Sequence, residues 1–250
     1  MSHHVRADLL ALVERARNGA LDELAGPHSY DPATAAGYRE AAVLALFTPT
    51  AQPAPAQQEQ DQQAQPAQQD GTARQTDLFL VQRSPLLRHH PGQIALPGGS
   101  IEAEDDGPVP AALRETQEET GIPAGQVEVI GSLPPVLVPI SRFVVTPVLG
   151  WAPAARPEPA PDTAEVLHTL RADVDHLLDP ASRATVWLAG HGSSGFRLPT
   201  GWVWGFTGNL LDHLFTQLGW TREWDESVRH TMSWDEARGA QLLGHVPSPD

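Results

Sequence analysis

Cysteine and lysine are both missing from this chain of 250 residues. Without Cys there is no disulfide, no thiolate-held zinc, no iron–sulfur cluster and no thiol nucleophile. Without Lys, Schiff-base chemistry and a phosphate-loop lysine are excluded. Any phosphate gripped by a side-chain cation must therefore be gripped by Arg, which supplies all 16 basic residues. Long apolar runs are missing too. No stretch approaches the roughly 20 residues that span a bilayer, and Asp8 and Glu14 interrupt what would have to be an apolar signal core. A cytoplasmic protein is the expectation. Against 31 acidic residues the few basic ones leave a formal charge of −15, which repels nucleic acid and anionic membrane and disfavours both as partners. The 11 His form no HExxH pair and no zinc-like spacing, and receive no metal role from spacing.

What is present reads as globular but loop-rich, with 40% hydrophobic residues, 24 Pro and 21 Gly. Val5, Leu9, Leu12, Val13 and Ala16 recur at helical spacing, which predicts an amphipathic helix over Val5 to Leu24. Ala41 to Phe47 and Asp77 to Arg83 read as buried strands. Between them, residues 49–76 hold ten Gln, six Ala and four Pro without one Leu, Ile, Val or aromatic, so the segment is expected to be a flexible insertion in one domain. Gly92 to Gly99 gives a short strand ending in a glycine pair. A helix follows from about Gly107 and Pro108 to Thr120, stopped by Gly121-Ile122-Pro123. Val127 to Gly131, Pro135 to Ile140, Phe143 to Leu149 and Glu165 to Leu170 read as strands, with a Pro-rich loop over Ala152 to Pro161. A short helix near Val174 to Leu178, a strand at Trp202 to Trp204 and a helix carrying Leu210, Leu211, Leu214 and Phe215 follow; residues 220–250 are ambiguous. The sum is a mixed sheet flanked by helices in a single domain over 1–250, with its core at about 41–215.

The chemistry concentrates in Pro97 to Ile122. At 100° per residue, Glu115, Glu118 and Glu119 fall within roughly 100° of one helix face, which predicts three converging carboxylates. Like charges at these spacings destabilise a helix by a few tenths of a kcal/mol per pair, so a neutralising group is required. A solvated acidic face is the ordinary explanation of such a run. Two neighbours argue for more: the glycine pair Gly98-Gly99 lets backbone approach a metal or phosphate closely, and Arg114 precedes the acidic face. A hard cation such as Mg²⁺, held by a few carboxylates while retaining waters and phosphate oxygens, would neutralise the cluster.

These residues resemble the Nudix box: Gly99 as leading glycine, then Arg114-Glu115-Thr116-Gln117-Glu118-Glu119-Thr120-Gly121-Ile122 as its second half, with Thr116 where an aliphatic residue is usual. The first half departs, having one residue more between Gly99 and Arg114 and Asp105 in place of Glu. The longer spacing is similar to that of the coenzyme A diphosphatase subfamily. So is the upstream stretch Arg83-Ser-Pro-Leu-Leu-Arg88-His89-His90-Pro-Gly92-Gln93-Ile-Ala-Leu-Pro97-Gly98-Gly99, together with Ser141 to Pro147 and Trp202 to Thr207.

The resemblance implies an α/β/α sandwich with a mixed sheet and hydrolysis of a nucleoside diphosphate derivative. For the subfamily that is coenzyme A, cut to 3′,5′-ADP and 4′-phosphopantetheine. It further implies Mg²⁺ or Mn²⁺ held by Glu115, Glu118, Glu119 and the Gly98 carbonyl, with Glu115 an alternative agent on the attacking water. Arg114 would lock the box by pairing with a carboxylate, Glu118 above all, and is counted with the three acids as catalytic machinery. Arg88, His90 and Gly99 are the substrate-binding candidates, loop packing being the competing reading for the first two. Arg83 is read as structural, and Glu165 and Glu223 as surface acids. A Nudix hydrolase for ADP-ribose or NADH, and a non-catalytic Nudix-like regulator, are the alternatives. The partner is a small molecule; a homo-oligomer is left open.

Overall fold

Strand β1 (Arg39–Pro49) is apolar on both sides, and the layers form around it. Ala41, Ala45 and Phe47 belong to one buried cluster, whereas Ala42, Leu44 and Leu46 belong to another. Alternate residues of a strand point to opposite faces, so a strand covered on both faces must read as a continuous apolar run. Its neighbour β2 (Thr76–Arg83) repeats the pattern, with Leu78 and Leu80 facing one cluster and Phe79 the other. The structure is a computed structural model and describes residues 2–24, 26–50, 73–157 and 164–245.

β1 and β2 belong to an eight-stranded sheet with β3 (Ile94–Ala95), β4 (Gly98–Ser100), β5 (Glu128–Ser132), β6 (Val136–Val138), β7 (Phe143–Trp151) and β8 (Val166–Asp173). β1 runs parallel to β7 and antiparallel to β2 and β4, which makes the sheet mixed. On one face lie α1 (Ser2–Arg17), whose Val5, Leu9, Leu12 and Val13 are buried, and the later helix that carries Leu210, Leu211, Leu214 and Phe215. Tyr38 follows a short helix, α2 (Pro32–Ala35), started by the Asp31 side chain. The opposite face is covered by α3 (Pro108–Thr120), which packs Ala111 and Ala112 on Leu44, Leu46 and Phe79. The result is the expected α/β/α sandwich.

After α4 (Val174–Leu177), β9 (Arg183–Leu188), β10 (His191–Leu198), β11 (Gly201–Val203) and β12 (Arg229–Thr231) form a second, four-stranded sheet. α5 (Gly205–Gln217) and α6 (Trp234–Ala237) accompany it. The buried guanidinium of Arg183 ties this sheet to α5: it pairs with Asp212 and lies 4.0 Å and 4.4 Å from the ring centroids of Phe196 and Trp224.

Several expectations are corrected. The first helix ends at Arg17 rather than near Leu24, because Gly19 takes a left-handed φ of +65° and the chain turns. Gly92 to Gly99 is not one strand: Leu96-Pro97 breaks it, and β3 pairs with β2 while β4 pairs with β1. Pro49 and Thr76 are paired strand residues, so β1 and β2 are adjacent and antiparallel. Of the Gln-rich insertion, residues 51–72 lie outside the described residues, as do 158–163 of the second Pro-rich loop. Among the described residues, no helix is long and apolar enough to cross a membrane.

Leu9 is fully buried against this sheet. Leu9→Ala is expected to lower the unfolding free energy by about 2–5 kcal/mol, read as a fall in denaturant midpoint at unchanged slope. A loss under about 1 kcal/mol would show that α1 is not part of the core.

Candidate active site

α3 is bounded by glycine at both ends. Gly107 (φ +95°) precedes Pro108, and Gly121 (φ +70°) turns the chain left-handed while its N–H donates to Gln117 O at 2.9 Å. Its inner face is made of small and hydroxyl-bearing residues. Thr116 Oγ1 donates to Ala112 O (2.7 Å) and Thr120 Oγ1 to Thr116 O (2.6 Å), so both buried hydroxyls are satisfied within the helix. That explains how Thr occupies position 116, where an apolar side chain is usual.

The small inner face lets α3 lie close to β4, and the two glycines of β4 meet two of the glutamates. Gly98 N–H donates to Glu119 Oε2 at 2.9 Å. A Cβ on Gly98 (φ +152°) would stand 2.6 Å from Val43 Cα, so that position accepts no side chain, whereas one on Gly99 would stand 2.5 Å from Glu115 Cδ and would push that carboxylate aside. The Glu119 side chain is only 7% exposed, with Arg83 Nη1 3.8 Å from its Oε1. Burial pushes its pKa up to about 7, the charges of Glu115 and Glu165 adding to the rise while the Gly98 bond and Arg83 oppose it. Burial raises Glu115 as well, against the pull of Arg114. Glu118 is 55% exposed.

Arg114 organises the outer part. Its Nε and Nη2 donate to the two oxygens of Asp105 at 3.2 Å and 2.9 Å, and Nη2 also reaches Ser100 O at 3.1 Å. Nη1 donates to Glu115 Oε1 (3.1 Å) and Glu118 Oε2 (3.2 Å). The expected partner Glu118 is thus one of several, and the bidentate pair goes to Asp105, which also accepts the Glu102 N–H at 2.9 Å. The Arg114 bonds hold the Asp105 carboxyl below its usual range, so Asp105 is the anchor of the clamp.

The three box carboxylates do not converge as the helix geometry alone predicted. Among the described residues, no three His, Asp or Glu side chains are gathered closely enough to enclose an ion. Arg114 stands between Glu115 and Glu118, and Glu119 turns inward to Gly98. By chemistry the donor set still fits a hard divalent cation. It offers carboxylate oxygens, two of them on acids whose ionisation burial opposes, beside a glycine-only backbone.

The loop over 84–93 lies beside this centre. Arg83 N–H donates to Gln93 O (2.9 Å), and Ser84 N–H to Glu165 O (2.8 Å), which brings Glu165 near Glu119. Arg83 is therefore a neighbour of the box as well as a strand end, and Glu165 is a surface acid, as expected, whose charge reaches Glu119. Arg88, His90 and Gln93 line a cleft of about 450 Å³. His90 adopts φ +53°, its Nδ1 donates to Gln93 Oε1 at 3.0 Å, and burial lowers its pKa.

The NUDIX domain family matches residues 69–189. A protein of Klebsiella pneumoniae called uncharacterized Nudix hydrolase NudL is 41% identical over 155 residues, covering 58% of this chain and 77% of the relative. Its namesake in Salmonella newport is 39% identical over the same shares. Among solved structures, the Nudix hydrolase RenU from M. smegmatis is 23% identical, covers 55% of this chain and 72% of its own, and gives a TM-score of 0.37. The chain belongs to the Nudix hydrolase family, whose members hydrolyse nucleoside diphosphate derivatives and generally need Mg²⁺ or Mn²⁺.

The raised Glu119 pKa has a defined sign. Between about pH 4.5, its unfolded value, and about 7, the native state holds a proton that the unfolded state has lost, so this group lowers stability as pH rises through that window. Without added metal, Glu119→Gln is expected to stabilise the protein more at about pH 8 than at about pH 5, by on the order of 2–3 kcal/mol. Denaturant midpoints at the two pH values measure this, and equal differences would mean that Glu119 is not buried as described.

Proposed function

We propose that this Nudix hydrolase cleaves the diphosphate of coenzyme A, releasing 3′,5′-ADP and 4′-phosphopantetheine by attack of water on phosphorus. The observation that carries the reading is the position of the 84–93 loop. The segment whose Arg88, His90, Gly92 and Gln93 resemble the coenzyme A diphosphatases is joined to the box through the Arg83–Gln93 bond and the approach of Arg83 to Glu119. Its Arg88 and His90 face an open cleft rather than the core.

In this reading Glu115, Glu118, Glu119 and the Gly98 carbonyl hold Mg²⁺ or Mn²⁺. Such a cation, when bound, neutralises the diphosphate and lowers the pKa of the attacking water. The chain's own residues do the rest. Gly99, without a side chain, lets the Glu115 carboxylate lie directly against the backbone of β4. Arg114, fixed by Asp105 and the Ser100 carbonyl, holds Glu115 and Glu118 in place and counters their repulsion. Burial raises the Glu119 pKa to about 7, so a bound cation favours its ionised form and ion binding is coupled to its deprotonation. Arg88 offers a fork of donors to phosphate oxygens.

Steady release of 3′,5′-ADP from coenzyme A in Mg²⁺ or Mn²⁺ tests the reading, with ADP-ribose and NADH as comparison substrates. Coenzyme A is expected to have the highest kcat/KM. Faster cleavage of either comparison substrate would replace the assignment, and no turnover of any would favour a ligand-binding regulator. Glu119→Gln should reduce kcat by about a hundredfold or more; a loss within about threefold, under roughly 1 kcal/mol of barrier, would remove Glu119 from the metal site.

A further inference from the structure

The 84–93 loop makes only part of its cleft. The remainder comes from the C-terminal segment and the start of α5: Trp204, Trp234 and Arg238 line the same space as Arg88, His90 and Gln93. That segment is docked backbone to backbone. A Cβ on Gly92 would stand 2.5 Å from Gly239 Cα, and one on Gly239 would stand 2.7 Å from Gly92 Cα. Both glycines have φ +68°, so the two turns meet where no side chain fits. The placement of α6 is fixed further by Ser233, whose Oγ accepts the Glu236 N–H at 3.1 Å, and by β12 pairing with β9.

The two clefts beside α6 differ in their acids. On one side, a cleft of about 670 Å³ is lined by Asp235, Glu236 and Arg197, with Glu236 bonded to His230 at 2.8 Å. The other cleft has no acidic residue among the described residues that line it. Neither Arg88 nor Arg238 has a carboxylate partner among the described residues, although acids outnumber bases by 31 to 16 in the chain. Arg238 stands 5.7 Å from the centroid of the Trp234 ring, and Trp234 is 58% exposed. Two guanidiniums without a carboxylate partner among the described residues and a large exposed ring around one acid-free space suit a nucleotide: Arg binds its phosphate oxygens in a fork, and an indole face stacks on its base. At about 450 Å³ the space accommodates a nucleotide.

We propose that α6 completes a nucleotide subsite in which Arg238, together with Arg88, holds a phosphate monoester on the ribose while Trp234 covers the base. This rests on the coenzyme A reading for its substrate, since 3′,5′-ADP carries a monoester that the cleaved diphosphate does not include. The C-terminal segment then sets specificity, selecting substrates that bear the extra phosphate over those that lack it.

Two measurements separate this proposal from the reading beneath it. Calorimetric titration of the metal-free protein with 3′,5′-ADP and with 5′-AMP should give at least about tenfold tighter binding of the former, as expected for a charge-assisted fork on a dianion. In Arg238→Gln the preference should fall to about threefold or less, and in Arg238→Lys it should be partly restored. In turnover, the ratio of kcat/KM for coenzyme A over dephospho-coenzyme A should fall in parallel, through KM. Arg238 is exposed, and an unchanged thermal midpoint checks the fold of each variant. Equal affinity for the two nucleotides, or a preference that survives Arg238→Gln, overturns the subsite even if coenzyme A is hydrolysed. An Arg238-dependent preference in a protein that leaves coenzyme A intact upholds the subsite and removes the substrate reading.

Discussion

The contact between the Gly98-Gly99 backbone and the carboxylates of Glu119 and Glu115 is the constraint on which the rest of the site depends. It can form only if α3 lies close to the strand, and much of the fold serves that approach. Ala111 and Ala112 replace bulkier side chains on the inner face, and the strand beneath them, β1, is packed on both sides so that it cannot yield. The approach also takes Glu119 out of water, which by itself favours its neutral form. The Gly98 N–H and Arg83 recover part of that cost, and the rest leaves a carboxylate whose charge depends on what binds beside it.

The outer acids are managed by one residue. Arg114 serves Asp105, the Ser100 carbonyl, Glu115 and Glu118 at once, using three nitrogens in a fixed plane. A lysine could not do this: its single ammonium presents no planar fork, and it could not bridge the two sides of the turn. The extra residue between Gly99 and Arg114 is absorbed in that turn, where Asp105 folds back to accept the Glu102 N–H before Gly107 and Pro108 start the helix. Asp in place of the longer Glu thus still meets the guanidinium with both oxygens.

The box helix, the glycine pair and most strands of the large sheet were legible because each is written in local signals: glycine and proline at helix ends, apolar runs at strands, acids at helical spacing. Two features were hidden for physical reasons. β10 holds Gly192, Ser193, Ser194 and Gly195, a poor strand sequence, yet it pairs with β9 across the two-residue turn Ala189-Gly190. The glycines are needed there because Trp187 and Val186 occupy the space above them. The role of α6 was equally hidden, although Ser233 followed three residues later by Glu236 is a helix-start signal. What no local pattern could reveal is that Gly239 meets Gly92 across the fold. Convergence of the carboxylates was the opposite case: periodicity placed them on one face, but Arg114 bridges Glu115 and Glu118 while Glu119 turns inward to the Gly98 N–H.

A protein with a formal charge of −15 that acts on a diphosphate faces repulsion from its own substrate at long range. Screening limits that field to about 8–10 Å at physiological ionic strength, so what matters at the site is the local balance of charge. There the arrangement is asymmetric: the acids of the box lie on α3, and Arg83 and Arg88 lie on the adjoining loop at whose far side Arg238 stands with no acid among the described lining residues. In the coenzyme A reading, positive and negative zones lying side by side would orient the polyanionic substrate along their junction. The backbone contact between Gly92 and Gly239 keeps the positive zone in register with the box, because it fixes the C-terminal segment to the same loop that Gln93 ties to Arg83.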